Sequence, residues 1–147
     1  MKMNEDDRRV LERTQEVIHE EGLEGICRIL HESKENYHWV GVYLVRDDRL
    51  KLGPFKGDKT EHTDIPFGRG VCGRAAVENN TIIVDDVSKE NEYLSCSPKV
   101  KSEIVVPIER GDEMVGEIDI DSHAMNAFDH NDEELLKEIA SLAAEVI

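Results

Sequence analysis

The period of the apolar positions changes along the chain, and the changes divide it into helices and strands. Val10, Leu11, Thr14, Val17 and Ile18 recur at helical spacing. Gly22 interrupts them, and Leu23, Ile26, Cys27 and Leu30 resume the pattern in a second helix over about 23–33. Residues 37–45 are aromatic and β-branched and read as a strand. Arg46-Asp47-Asp48-Arg49 is its turn and residues 50–55 are the returning strand. Residues 57–66 are polar without a period and read as a loop. A glycine-rich lead-in opens a short helix within 68–79, and residues 81–84 form a strand. The stretch 85–101 is irregular, and a structureless stretch of this length in a compact domain usually carries function. Strands over 102–109 and 114–121 flank a tight turn at Arg110-Gly111-Asp112. The last helix is capped by Asp129 or Asn131 and buries Leu135, Leu136, Ile139, Leu142, Ala143 and Val146.

Short connections within both hairpins require antiparallel pairing. The pattern therefore predicts an α+β fold, a mainly antiparallel sheet with helices packed on it. The 147 residues fit a single domain, 1–147, large enough to bury a core without metal or disulfide support. The apolar stripes of the terminal helices suit either packing within the chain or a homodimer.

Charge narrows the function. The formal net charge is −15 and no basic stripe interrupts it. Such a surface repels phosphate backbones and anionic lipid, which leaves no nucleic acid or membrane partner. No apolar run approaches a bilayer span, and the first residues lack the apolar core of a secretory signal, so the expected compartment is the cytoplasm. The same negative field opposes forming a thiolate, and this bears on the candidate chemistry.

There are three cysteines, Cys27, Cys72 and Cys96. An odd count in a cytosolic chain argues against a structural disulfide framework. Cys27 lies on an apolar helix face and reads as a small core residue. Cys96 sits in Leu94-Ser95-Cys96-Ser97-Pro98-Lys99-Val100-Lys101, a basic island in an acidic chain. Lys99 and Lys101 would offset the field and lower its pKa, and a loop gives access; the alternative is an incidental loop cysteine. Cys72 belongs to Gly68-Arg69-Gly70-Val71-Cys72-Gly73. That run has the glycine spacing of a dinucleotide site, but a loop precedes it, and Asp85 and Asp86 come too early for the ribose acid. Two readings remain. The glycines allow a tight start to a helix, or they set Cys72 at a helix N-terminus, where the dipole favours a thiolate.

The strand Met114 to Ser122 carries acids where strands rarely do. By alternation, Val115, Glu117, Asp119 and Asp121 share one face, and Met114, Gly116, Ile118 and Ile120 the other. The acids form either a solvated face or a carboxylate group that holds a cation or shares a proton. The hairpin brings Glu103 alongside. Three converging carboxylates with a thiol suit a substrate that has an ammonium group and a polar oxygen needing a proton. Trp39, the one tryptophan, is either core or a ligand wall. The histidines show no metal-ligand spacing, and no metal site is expected.

Several segments together resemble one family. Trp39-Val40-Gly41-Val42-Tyr43-Leu44, Leu52-Gly53-Pro54-Phe55-Lys56-Gly57, the Gly68 to Gly73 run, Ser102-Glu103-Ile104-Val105-Val106-Pro107 and Gly116-Glu117-Ile118-Asp119-Ile120-Asp121-Ser122 fall in the order and spacing of the free methionine-R-sulfoxide reductases, which are GAF-fold enzymes. The resemblance implies Cys96 as the nucleophile, oxidised to a sulfenic acid, and Cys72 as the resolving thiol that closes a disulfide. It places Glu103, Asp119 and Asp121 in the substrate site. Glu103 and Asp121 are taken as the catalytic acids, and Asp119, Trp39 and Tyr43 as substrate-binding. It implies free methionine sulfoxide and thioredoxin as partners, with thioredoxin supplying the electrons and no cofactor. Many members carry a further cysteine between the Gly-Pro-Phe and glycine runs. Here Asp58-Lys59-Thr60-Glu61-His62-Thr63-Asp64 has none, which leaves Cys72 or an external thiol to resolve Cys96. A non-catalytic small-ligand sensor or a general thiol redox sensor would use the same fold.

Overall fold

The alternating segments of the sequence assemble into one sheet, and the helical segments cover its two faces. The computed structural model describes residues 3–90 and 98–147. The first helix, α1 (Glu5–Ser33), is capped by Asn4, whose side chain accepts from the Asp7 amide. Gly22, at φ 59° and ψ −143°, breaks the helical backbone inside it, giving the two arms expected from the sequence. β1 (Trp39–Arg46) and β2 (Arg49–Lys56) meet at Asp47-Asp48, whose φ angles of 53° and 58° give the left-handed turn that matches strand twist. β3 (Asp64–Pro66) lies in the stretch read as a loop. Three residues are too few to display alternation, and pairing with β2 is what makes them a strand.

The short helix α2 (Gly70–Glu78) ends on Asn79 in the left-handed conformation. β4 (Ile82–Val84) follows, then a 3-10 turn over Val87–Lys89. β5 (Ser102–Arg110) and β6 (Glu113–Ser122) form the second hairpin. α3 (His130–Ala144) starts at Asp129 with a reciprocal capping box to Asp132.

Among the described residues the sheet order is β3-β2-β1-β6-β5-β4, with every neighbouring pair antiparallel. The register aligns β1, β6 and β5 into rows across the sheet. Val40, Ile120 and Ile104 form one row, and Val42, Ile118 and Val106 the next. These rows lie under α1 and α3, which contribute Ile26, Ile29, Leu30, Leu135, Leu136 and Ile139, all buried. Each such side chain contributes roughly 1.5–3 kcal/mol of burial free energy, and this face holds the fold together. Leu142 and Val146 sit at its margin, only partly buried. One expectation fails here. A register shift between Ile108 and Glu109 bulges β6, which sends Val115 to the α1–α3 face and Met114 to the other. No described helix is long and apolar enough to cross a membrane.

Candidate functional site

The opposite face of the same three strands holds the chemistry. Its rows are Trp39–Asp121–Glu103, Gly41–Asp119–Val105 and Tyr43–Glu117–Pro107. Strand alternation, continuous from residue 116 to 122, therefore sets three acids of β6 on one face, with Glu103 beside Asp121. The solvated-face reading is excluded. Glu103 is 2% exposed, Glu117 0%, Asp119 4% and Asp121 3%.

Two aromatic residues wall the cluster. The Trp39 ring lies flat across Gly41, where any Cβ would collide with the indole. Its Nε1 donates to the Asp58 carbonyl at 2.9 Å, and the ring stacks on Phe55 at 5.6 Å. The Tyr43 hydroxyl donates to the His62 carbonyl at 2.7 Å. Both polar tips are held by the loop before β3. Burial and then Asp119 push the Tyr43 phenol far above its ordinary range, so it stays neutral.

The roof is α2. Gly68 and Gly70 adopt φ of 92° and 66°, and a Cβ at Gly73 would meet the Pro66 oxygen at 2.8 Å. The glycine run is thus a tight helix start, and it presses Cys72 onto the acidic face. Sulfur and carboxylate donor atoms of Cys72, Glu103 and Asp119 all lie within 4.8 Å of one another. The expectation of a dipole-stabilised thiolate at Cys72 is overturned. Burial, then Asp119, Glu117 and Glu103, push the thiol well above its ordinary value. A helix terminus contributes up to about 2 kcal/mol. Full burial alone shifts a group by as much as about 3–5 pH units, which is larger.

The acids are raised as well. Burial acts first on Glu103, followed by Asp119 and Asp121. Burial also raises Glu117 and Asp119, while the adjacent Cys72 thiol draws both back down. The thiol contact with Glu117 falls short of a well-formed hydrogen bond. Among the described residues, Glu103 Oε1, Asp119 Oδ1 and both Glu117 oxygens have no partner. Buried polar atoms of this kind are rare in folded proteins, and a cationic or hydrogen-bonding ligand satisfies them. The Cys72–Glu103–Asp119 triad also has the spacing of a metal-ligand set. Burial raises both acids, so a metal ion would compete with protons for them.

Cys96 lies outside the described residues, and with it the Cys72–Cys96 separation. Cys27 is the core thiol expected. It is fully buried, its Sγ donates to the Pro54 carbonyl at 3.4 Å, and burial, then Glu24, push it up to about 12. The sequence reading omitted Glu117 from the site, although its position two residues before Asp119 was the available signal. It also missed the His38 and His123 rings, which stack at 4.0 Å beside the Asp121 end of β6. No helical or strand period announces that pair.

The family model of the GAF domain matches residues 8–147. The free methionine-R-sulfoxide reductase of Escherichia coli is 36% identical over 125 residues, covering 85% of this chain and 75% of that protein. GAF domain-containing protein A of Dictyostelium discoideum is 44% identical over 108 residues, covering 73% and 68%. Among solved structures, free methionine-R-sulfoxide reductase from Neisseria meningitidis in complex with its substrate superimposes with a TM-score of 0.89 at 34% identity, covering 99% of this chain and 91% of that one.

Proposed function

Because the chain belongs to the free methionine-R-sulfoxide reductases of the GAF-domain family, we propose that it reduces free methionine-R-sulfoxide to methionine. One observation carries the reading. A row of buried, partly unpartnered carboxyl groups lies under Cys72 and is walled by Trp39 and Tyr43. This is an environment for a zwitterion with a sulfoxide oxygen.

The substrate ammonium replaces protons within the cluster and satisfies carboxylate oxygens, with Asp119 as its main partner. The indole and phenol faces cover the apolar methyl end. Cys96 attacks the sulfoxide sulfur as a thiolate. Glu103 or Asp121 gives a proton to the sulfoxide oxygen, and that acid must be protonated at neutral pH. Burial beside other acids is what keeps a carboxyl in that state. Oxygen passes to Cys96 as the S–O bond of the substrate breaks. The sulfoxide is reduced by two electrons and Cys96 becomes a sulfenic acid. Cys72 then condenses with the sulfenic acid, giving a disulfide and water, and thioredoxin returns the pair to thiols. Both electrons come from thiols, so the reaction needs no cofactor.

The experiment is an epimer-resolved assay of methionine release with dithiothreitol as reductant. Turnover of the R epimer and not the S epimer is expected, and Cys96→Ser abolishes it. Cys72→Ser loses far more thioredoxin-driven than dithiothreitol-driven turnover. Folded protein that leaves the R epimer intact refutes the proposal, and tight nucleotide binding in its place favours a sensor.

A further inference from the structure

Glu117 is a fully buried carboxyl group with neither oxygen partnered, and the substrate chemistry above does not use it. Such a group destabilises the fold, so stability does not explain it. Its place on the sheet separates it from the substrate acids. Asp121 and Glu103 lie in the Trp39 row, and Asp119 in the Gly41 row. Glu117 lies in the third row, between Tyr43 and Pro107. Along β6 it is four residues, roughly 13 Å, from Asp121. Cys72 lies against both Asp119 and Glu117, with α2 above, and so stands between the substrate acids and Glu117.

Cys72 itself poses the problem that this placement answers. A thiol attacks as its thiolate, and Cys72 is only 5% exposed, so bulk water is a poor acceptor for its proton. The acceptor must come from within the cluster, and Glu117 is the acid there that lies against Cys72 and has no part in the substrate chemistry. We propose that Glu117 relays the proton of Cys72 when Cys72 closes its disulfide, one carboxyl oxygen taking it while the other gives up the proton it carries. The inference rests on the reductase reading above. In this step the Cys72–Cys96 S–S bond forms and the S–O bond of the Cys96 sulfenic acid breaks. Cys72 is oxidised and the sulfenic sulfur reduced. The Cys72 proton passes to one oxygen of Glu117, the proton on its other oxygen moves on through the cluster, and the departing hydroxide takes one proton from the cluster and leaves as water, so that Glu117 ends protonated as it began.

The test is a single turnover with methionine-R-sulfoxide and no reductant. Methionine release reports the Cys96 step, and loss of the second free thiol reports disulfide closure. In Glu117→Gln, thiol loss is expected to slow by about tenfold or more beyond any slowing of methionine release. Glu117→Asp, which keeps an acid, is expected to recover part of that rate. Equal slowing of both steps, or of neither, overturns the inference. So does a Glu117→Asp variant no faster than Glu117→Gln while its methionine release is normal. If the wild-type protein releases no methionine, the reductase reading itself fails, and that outcome is distinct from the others.

Discussion

The two faces of the β1–β6–β5 unit share one backbone and have opposite contents. Under α1 and α3, the rows Val40–Ile120–Ile104 and Val42–Ile118–Val106 are apolar. Under α2, alternate residues of the same strands bury four carboxyl groups beneath the Cys72 thiol. The first face supplies free energy of folding; the second consumes some of it. Rigid apolar packing on one side is what holds acids on the other in positions that solvent would otherwise disperse. The difference teaches that burial has separate roles in this molecule. On one face it stabilises, and on the other it moves pKa values.

Variants on adjacent residues of β6 sharpen the contrast. Ile118→Ala on the helix-covered face is expected to lose about 2–5 kcal/mol of stability by urea denaturation. Activity per folded molecule is expected to persist. Asp119→Asn, one residue on, is expected to show the reverse. Its kcat/KM for the sulfoxide falls about a hundredfold, while its thermal midpoint holds or rises because a buried acid has been removed. A matching loss of stability in both variants would break the comparison. Gly41→Ala is expected to cost about 1–3 kcal/mol and to raise KM, because the new methyl displaces the Trp39 ring.

The smallest expected effect is in pH. Glu103, Glu117 and Asp119 hold their protons in the fold above the pH at which they ionise in the unfolded chain. The native state then binds more protons, so stability falls as pH rises from the ordinary carboxylate range up to their native pKa values. The slope is at most about 1.4 kcal/mol per pH unit for each proton. Exposed Asp64 and half-buried Asp86, lowered by their hydrogen bonds, act in the opposite sense at lower pH. A melting series across this range should show the decline, and Asp119→Asn should flatten it. A stability that rises through the same window would mean that these acids are ionised and paired.

Much of this was legible in the residue pattern. Helical spacing with a break at Gly22, two hairpins and the Asp129 cap all appear where periodicity and turn chemistry put them. The shared face of Glu117, Asp119 and Asp121 follows from alternation alone. β3 was not legible, because so short a strand exists only through its partner. The Val115 bulge was not either, because register is a property of two strands.

The sequence by itself therefore determined which side chains share a face, since side-chain direction in helices and strands is a local consequence of backbone geometry. Only the tertiary structure decided what that face meets. The acids could have faced water and ionised freely. The tight turn of the glycine run lays α2 and Cys72 over them instead, and exclusion from water, a property of the whole assembly, sets the protonation states of both.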